Sequence, residues 1–99
     1  MEVFHLYPAE FSKWFGRLSA VDRARTARRI ELVKTRGIRV GLPHVRRINN
    51  VIWELRIPSG LRLYFTADSD LAVFVKYGNK GTQRRDITAA TRRANELYT

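Results

Sequence analysis

Residues 51–77 decide the fold of this chain, and they read VIWELRIPSGLRLYFTADSDLAVFVKY. On both sides of Pro58-Ser59-Gly60, apolar residues alternate with polar ones, a period of two that is typical of β-strands. A second turn, Asp68-Ser69-Asp70, leads into another apolar run over residues 71–77. Short strands joined by turns of this composition predict a three-stranded antiparallel meander.

Two helical patterns precede the meander. The first follows Pro8, which suits the first turn of a helix, and its apolar stripe is Phe11, Trp14, Phe15 and Leu18. The second covers residues 21–36 after a short connection, so the two helices are expected to form an antiparallel hairpin. The side chains expected to face the core from the second helix are Val21, Ala24, Ala27, Ile30 and Val33.

The remaining segments complete the predicted order β-α-α-β-β-β-α. Residues 3–6 predict an opening strand, residues 37–50 a loop, and residues 83–97 a last helix whose inward stripe is Ile87, Ala90, Ala94 and Leu97. A chain of 99 residues is too short for two stable cores, so residues 1–99 are expected to form a single domain. Its class is α+β, an antiparallel sheet with the helical hairpin and the C-terminal helix packed on one face.

Composition restricts the function classes. The hydrophobic content of 44% is sufficient for a folded core, and the absence of Cys excludes disulfides and thiolate metal sites. Two His are too few for a zinc site of their own, so no metal and no cofactor are expected. No apolar run approaches the roughly 20 residues that span a bilayer, and the polar start is unlike a signal peptide. We therefore expect a cytoplasmic protein without membrane contact.

The charge balance indicates a polyanionic partner. Lys and Arg number 19 against 9 Asp and Glu, a formal charge of +10, and 15 of these cations are Arg. Because the guanidinium fork pairs with phosphate in a bidentate manner, nucleic acid is the leading partner. An acidic protein surface would be attracted by the same field, and charge alone does not separate the two.

Strand pairing is expected to place cations opposite one another. A three-residue loop at 58–60 puts Arg56 opposite Arg62, and a turn that closes between Ala67 and Leu71 extends the pairing to a third strand. Since like charges directly opposite one another destabilise a sheet, the row either binds an anion or is a solvated face whose long side chains splay apart. The two predicted rows are Arg56–Arg62–Lys76 and Glu54–Tyr64–Phe74.

Such a face carries the groups that RNA scission requires. The 2′-hydroxyl must lose a proton, the phosphorane must be stabilised, and the leaving oxygen must gain a proton. Cations supply the stabilisation without a metal ion. Glu54, His44, Tyr64 or a Lys are candidates for the proton transfers, and their spacing does not choose among them.

Three stretches of the chain form an ordered set: residues 53–57 read WELRI, residues 60–65 read GLRLYF, and residues 77–87 read YGNKGTQRRDI, followed by Ala90. Together with FSKWF at residues 11–15 and the Arg-rich second helix, this set resembles the HigB-like addiction-module killer proteins of the RelE/ParE toxin superfamily. The resemblance covers nearly the whole chain.

The resemblance implies a RelE-like fold and the toxin of a type II toxin–antitoxin system. Its partner would be a helix-turn-helix, HigA-like antitoxin, bound in a hetero-oligomer. The implied activity is that of an mRNA interferase, a ribosome-dependent and metal-independent mRNA endoribonuclease that contacts mRNA and rRNA and inhibits translation. A second branch of the superfamily, the ParE-like toxins, poisons DNA gyrase instead.

The resemblance also implies roles for individual residues. Arg62 matches the Arg that contacts the scissile phosphate, and His44 falls near the place where some relatives carry an acidic general base. The candidate catalytic residues are Arg62, Arg56, Lys80, Glu54 and His44. The candidate RNA-binding residues are Lys76, Tyr64, Arg84, Arg85, Arg25, Arg28 and Arg29.

One departure from the family pattern keeps a third function open. Several ribosome-dependent relatives carry a Tyr or His at the C-terminal end, where this chain has Asp86-Ile87 at the start of its last helix. Arg92 and Arg93 are expected on the outer face of that helix or near the antitoxin or rRNA. The alternatives are therefore an mRNA endoribonuclease, a gyrase poison, and a nucleic-acid-binding domain without catalysis.

Overall fold

The computed structural model describes residues 1–41 and 43–98. Within them the chain forms five strands and three α-helices: β1 (Glu2–His5), α1 (Pro8–Gly16), α2 (Ala20–Arg36), β2 (Val45–Arg47), β3 (Trp53–Arg56), β4 (Leu61–Asp68), β5 (Leu71–Asn79) and α3 (Gln83–Leu97). Short 3₁₀ turns occupy Gly37–Val40 and Lys80–Thr82. No helix in this part of the chain is long and apolar enough to cross a membrane.

One five-stranded sheet runs through the molecule in the order β1-β5-β4-β3-β2. β1 is parallel to β5, and the other neighbours are antiparallel, so the predicted meander β3-β4-β5 is confirmed. The prediction of a loop over residues 37–50, of which Leu42 lies outside the described residues, is wrong because β2 forms there. β2 has three residues, too few to show a period of two.

The α+β class is confirmed, but the expectation that all helices lie on one sheet face is wrong. α1 and α2 cover one face, where Ile30 and Val33 pack with Leu55, Leu63 and Phe74. α3 covers the other face. Two of its alanines, Ala90 and Ala94, pack there against Tyr64, Val73 and Val75. Since the middle residues of β4 and β5 are buried on both sides, the centre of the sheet needs a helix layer on each face.

The core face of α2 differs from the predicted one. Val21 is 58% exposed, and Ala24 and Ala27 are exposed too, whereas the buried residues are Thr26, Ile30 and Val33. A spacing of three residues falls about 60° short of a full helical turn at each step, so a stripe with that period drifts away from the core. In α3, Ala90 and Ala94 of the predicted stripe are buried, whereas Leu97 at the end of the helix is 39% exposed.

The register agrees with the sequence between β3 and β4 and departs from it between β4 and β5. Arg56 lies opposite Arg62, and Glu54 lies opposite Tyr64, as predicted. The predicted pairs Arg62–Lys76 and Tyr64–Phe74 are wrong: Arg62 faces Gly78, and Tyr64 faces Lys76.

Two local shifts cause this difference in register. The turn is shorter than expected, because Asp68 already pairs with Leu71, and Ser69 accommodates it with a φ of 52°. An irregularity between Tyr64 and Phe65 leaves Val75 as an extra residue on β5, a β-bulge. Each shift moves the pairing by one residue, so Lys76 leaves the row of Arg56 and Arg62.

Candidate functional site

A buried carboxylate lies beneath the cations of the sheet. Glu54 is fully buried, and its Oε1 lies 3.5 Å from Arg46 Nη2, 3.7 Å from Arg56 Nε and 3.9 Å from Arg62 Nε. Strand pairing creates this arrangement, because Arg46 of β2 lies opposite Glu54 and Arg56 lies opposite Arg62. We call Glu54 and the three arginines around it the arginine cluster. It contains three cations and one carboxylate.

The first turn of α3 closes over the arginine cluster. Gln83 Nε2 donates a hydrogen bond of 2.5 Å to Glu54 Oε2. Close by, Thr82 donates to the buried Asp86 carboxylate at 2.5 Å, and a Cβ on Gly78 would come within 1.9 Å of Asp86 Oδ2. Only glycine fits opposite Arg62 under a helix that lies this close to the sheet.

Of the predicted RNA-binding residues on the sheet, Tyr64 is buried and Lys76 is partly exposed. Tyr64 is fully buried, its hydroxyl included, and it lies opposite Glu54 in the sheet. Burial raises the pKa of that hydroxyl well above its usual range, and the Glu54 and Asp86 carboxylates raise it further. Lys76 is partly exposed on the same face, where its charge helps to lower the pKa of Glu10 after the larger effect of Arg93.

Five predicted site residues meet in an open cleft of about 420 Å³. We call it the cationic cleft; its polar lining includes Arg29, His44, Arg56, Arg62 and Lys80. No carboxylate belongs to its lining within the described part of the chain. Glu54 lies beneath this surface and is not exposed in the cleft.

The loop after β5 holds Lys80 against the cleft. The Asn79 side chain accepts hydrogen bonds from Gly81 N (2.8 Å) and Thr82 N (3.2 Å), which stabilises the 3₁₀ turn. The Lys80 amide donates to Gly60 O at 2.8 Å. Gly60 has a φ of 93°, which disfavours other residues, and a Cβ there would contact the Lys80 methylenes at 3.6 Å.

His44 is oriented by a residue from α2. Arg29 Nη1 donates to His44 Nδ1, and the His44 carbonyl accepts a hydrogen bond of 2.8 Å from Arg56 N. Because a guanidinium only donates, Nδ1 is the acceptor, and the proton of the neutral ring is assigned to Nε2. The contact places Arg29, predicted as an RNA-binding residue, at the candidate proton-transfer group.

A second depression of about 610 Å³ adjoins the cationic cleft at Lys80, which lines both. We call it the adjoining groove; it also contains Arg46, Gln83 and Arg84. The remaining predicted RNA-binding residues lie on exposed helix surfaces and line neither depression; they are Arg25, Arg28 and Arg85.

Sequence reasoning missed two residues of the site, Arg46 and Gln83. Arg46 lies in the segment that was expected to be a loop, and recognition of β2 with its antiparallel pairing would have placed it opposite Glu54. Gln83 gives no such signal, because its contact with Glu54 depends on how α3 docks on the sheet.

Comparison with known proteins finds one family. A family model described as Phage derived protein Gp49-like (DUF891) matches residues 13–95. This range includes α2, all strands after β1, the arginine cluster, the cationic cleft and most of α3. No curated protein matches the chain significantly.

Proposed function

The chain belongs to the Gp49-like family, which is associated with the toxins of toxin–antitoxin systems, and from this premise we propose that it is a ribosome-dependent mRNA endoribonuclease of the HigB-like branch of the RelE/ParE superfamily. In this proposal the toxin needs no metal ion, inhibits translation in the cytoplasm, and is held inactive by a cognate antitoxin.

The cationic cleft carries the proposal. Arg29, Arg56, Arg62 and Lys80 converge there, and the described lining contains no carboxylate to neutralise them. Glu54 offsets only part of the charge from below. A phosphodiester is the anion that guanidinium groups bind best through paired N–H donors, so an RNA backbone suits this cleft.

The cleft residues can supply the chemistry of strand scission. Arg62 and Arg56 would hold the non-bridging oxygens of the scissile phosphate, where negative charge grows as the 2′-hydroxyl attacks. Lys80 adds a third cation from the facing loop. His44 is the one imidazole in the described lining, and its Nε2 is left for proton exchange with RNA because Nδ1 accepts from Arg29.

The surface around the cleft provides further attachment for RNA and partners. Arg46 and Arg84 in the adjoining groove can bind a neighbouring part of the message. Arg25, Arg28 and Arg85, exposed on the helices, suit contacts with rRNA phosphates. The antitoxin, proposed as a helix-turn-helix protein, should be acidic where it docks on this surface in the toxin–antitoxin complex.

The test is cleavage of a defined message on purified ribosomes, with cut sites mapped by primer extension. We expect cuts within translated codons, and a cleavage rate at least about a hundredfold lower for Arg62→Ala, because the main charge at the phosphate is removed. Arg62→Lys keeps the charge and the ion pair but loses the fork, so it should fold and still cleave slowly.

Arg17→Ala is the matched control, because Arg17 is exposed at the end of α1 and lines neither depression. An intact message with the wild-type chain, combined with double-strand DNA breaks in expressing cells, would instead indicate a gyrase poison. If neither the message nor the DNA is cut, the chain is a nucleic-acid-binding domain without catalysis. Normal cutting by Arg62→Ala would contradict the role given to Arg62.

A further inference from the structure

Glu54 is placed under the cleft and not in it. Its side chain has no exposed surface, Oε2 accepts a short hydrogen bond from Gln83, and Oε1 faces three guanidinium groups. A carboxylate that takes a proton from the RNA 2′-hydroxyl must come within hydrogen-bond reach of it. Glu54 has no exposed surface and does not line the cleft, so RNA bound there does not reach it in this structure.

The guanidinium groups of Arg56 and Arg62 keep terminal N–H donors that Glu54 does not use. Arg56 and Arg62 both approach it through Nε. Arg62 Nη1 donates to Leu61 O at 3.0 Å, while no partner within the described residues uses Arg62 Nη2 or either terminal nitrogen of Arg56. The free N–H groups are those that a phosphate would bind.

We propose that Glu54 is a positioning residue that acts on RNA through Arg56 and Arg62, and that Gln83 of α3 positions Glu54 in turn. The inference rests on the proposed function and assigns the candidate general base a different role. Three guanidinium groups this close repel one another, and the carboxylate holds them together. Without it, the partly exposed Arg56 would turn toward solvent, and the phosphate would lose its oriented donors.

This role separates binding from catalysis. Removal of the Glu54 charge leaves the cleft more cationic, so RNA binds more tightly by attraction alone. The same change loosens the arginines, and a displacement of about 1 Å at such groups can lower a rate by about a hundredfold. Loss of a general base would lower the rate without raising the affinity.

The test compares Glu54→Gln, Gln83→Ala and the control Glu31→Gln, whose glutamate pairs with Lys34 on the exposed surface of α2. Binding is measured with an RNA oligonucleotide carrying a 2′-deoxyribose at the cut site, and cleavage in single-turnover reactions on programmed ribosomes. For Glu54→Gln we expect about tenfold tighter binding and about hundredfold slower cleavage, with the shape of the pH–rate profile unchanged.

Gln83→Ala removes no charge, so it keeps the variant series informative if Glu54→Gln folds poorly. We expect unchanged affinity and about tenfold slower cleavage, because Glu54 keeps its charge but loses its fixed orientation. Glu31→Gln should behave as wild type in both measurements.

Loss of the acidic limb of the pH–rate profile in Glu54→Gln would show that Glu54 is the base and would overturn the inference. Weaker RNA binding, or an unchanged cleavage rate, would overturn it too. If the wild-type chain cuts no message at all, the proposed function fails, and the binding measurements still decide whether Glu54 restrains the arginines.

Discussion

Two clusters of carboxylate and guanidinium groups behave differently in this molecule. In the arginine cluster, one buried carboxylate faces three arginines at 3.5–3.9 Å. At the other edge of the sheet, Arg93 of α3 meets Glu10 of α1 one to one, with N–O distances of 2.6 and 3.0 Å. Arg93 also donates to Val75 O at 2.8 Å and lies over the Tyr7 ring. We call this second cluster the clasp.

The two clusters differ in the balance between positive and negative groups. In the clasp the charges are equal and the fork geometry is satisfied, so hydrogen bonding to Arg93 lowers the pKa of Glu10 and raises that of Arg93. In the arginine cluster the cations are in excess, and both Glu54 Oε1 and Arg62 Nε are buried without a hydrogen bond. A balanced pair fastens two helices, whereas an unbalanced cluster can accept a further anion.

The largest effect on stability is expected for Glu54→Gln. We expect the free energy of unfolding to fall by about 3 kcal/mol in low salt, because the buried Arg62 guanidinium loses its carboxylate. Urea denaturation measures the change, and added sulfate should recover part of it by taking the place of the carboxylate. A variant as stable as wild type without sulfate would contradict the description of an unbalanced cluster.

Removal of one arginine from each cluster gives a matched pair of variants. Arg93→Gln should lower the free energy of unfolding by about 2 kcal/mol, because Glu10 and the Val75 carbonyl lose their donor. Arg56→Gln should change it by less than about 0.5 kcal/mol, since it relieves repulsion from Arg62 while Glu54 keeps two arginines. Chemical denaturation compares the two, and equal losses would show that the clusters do not differ.

Within the clasp, a smaller loss than that of Arg93→Gln is expected for Glu10→Gln. We expect a loss of about 1 kcal/mol at neutral pH, kept modest by solvent because the Glu10 side chain is 39% exposed. The pKa of Glu10 is lower in the folded chain, so its contribution is complete above the usual carboxyl pKa and disappears as the pH falls through the folded value. The melting temperatures of wild type and Glu10→Gln, measured over a pH series, should therefore converge in acid. A difference that persists there would contradict this role of the Glu10 charge.

Much of the sheet could be predicted from the sequence because its signals are local. The alternation over residues 51–57 and 61–66, with the three-residue turn between them, is sufficient for β3, β4 and the pairing of Arg56 with Arg62. The register of β5 could not be predicted, because a tight turn and a bulge each moved it by one residue.

The roles of charged residues were harder to predict than their presence. Arg93 was expected on the outer face of the last helix, but it is partly buried in the clasp, 83 positions along the chain from Glu10. Arg92 is exposed as expected. Glu54 was a candidate for proton transfer, yet its contacts depend on β2 and α3, elements far from it in sequence.

The sequence by itself determined the α+β class, the meander and an excess of ten positive charges, because alternation, turn residues and composition are local or additive quantities. The tertiary structure decided which cations meet. It gathered Arg29, His44, Arg56, Arg62 and Lys80 around one cleft and placed Glu54 beneath them. That outcome depends on strand register and on the docking of α3, where a shift of one residue changes which face a side chain occupies.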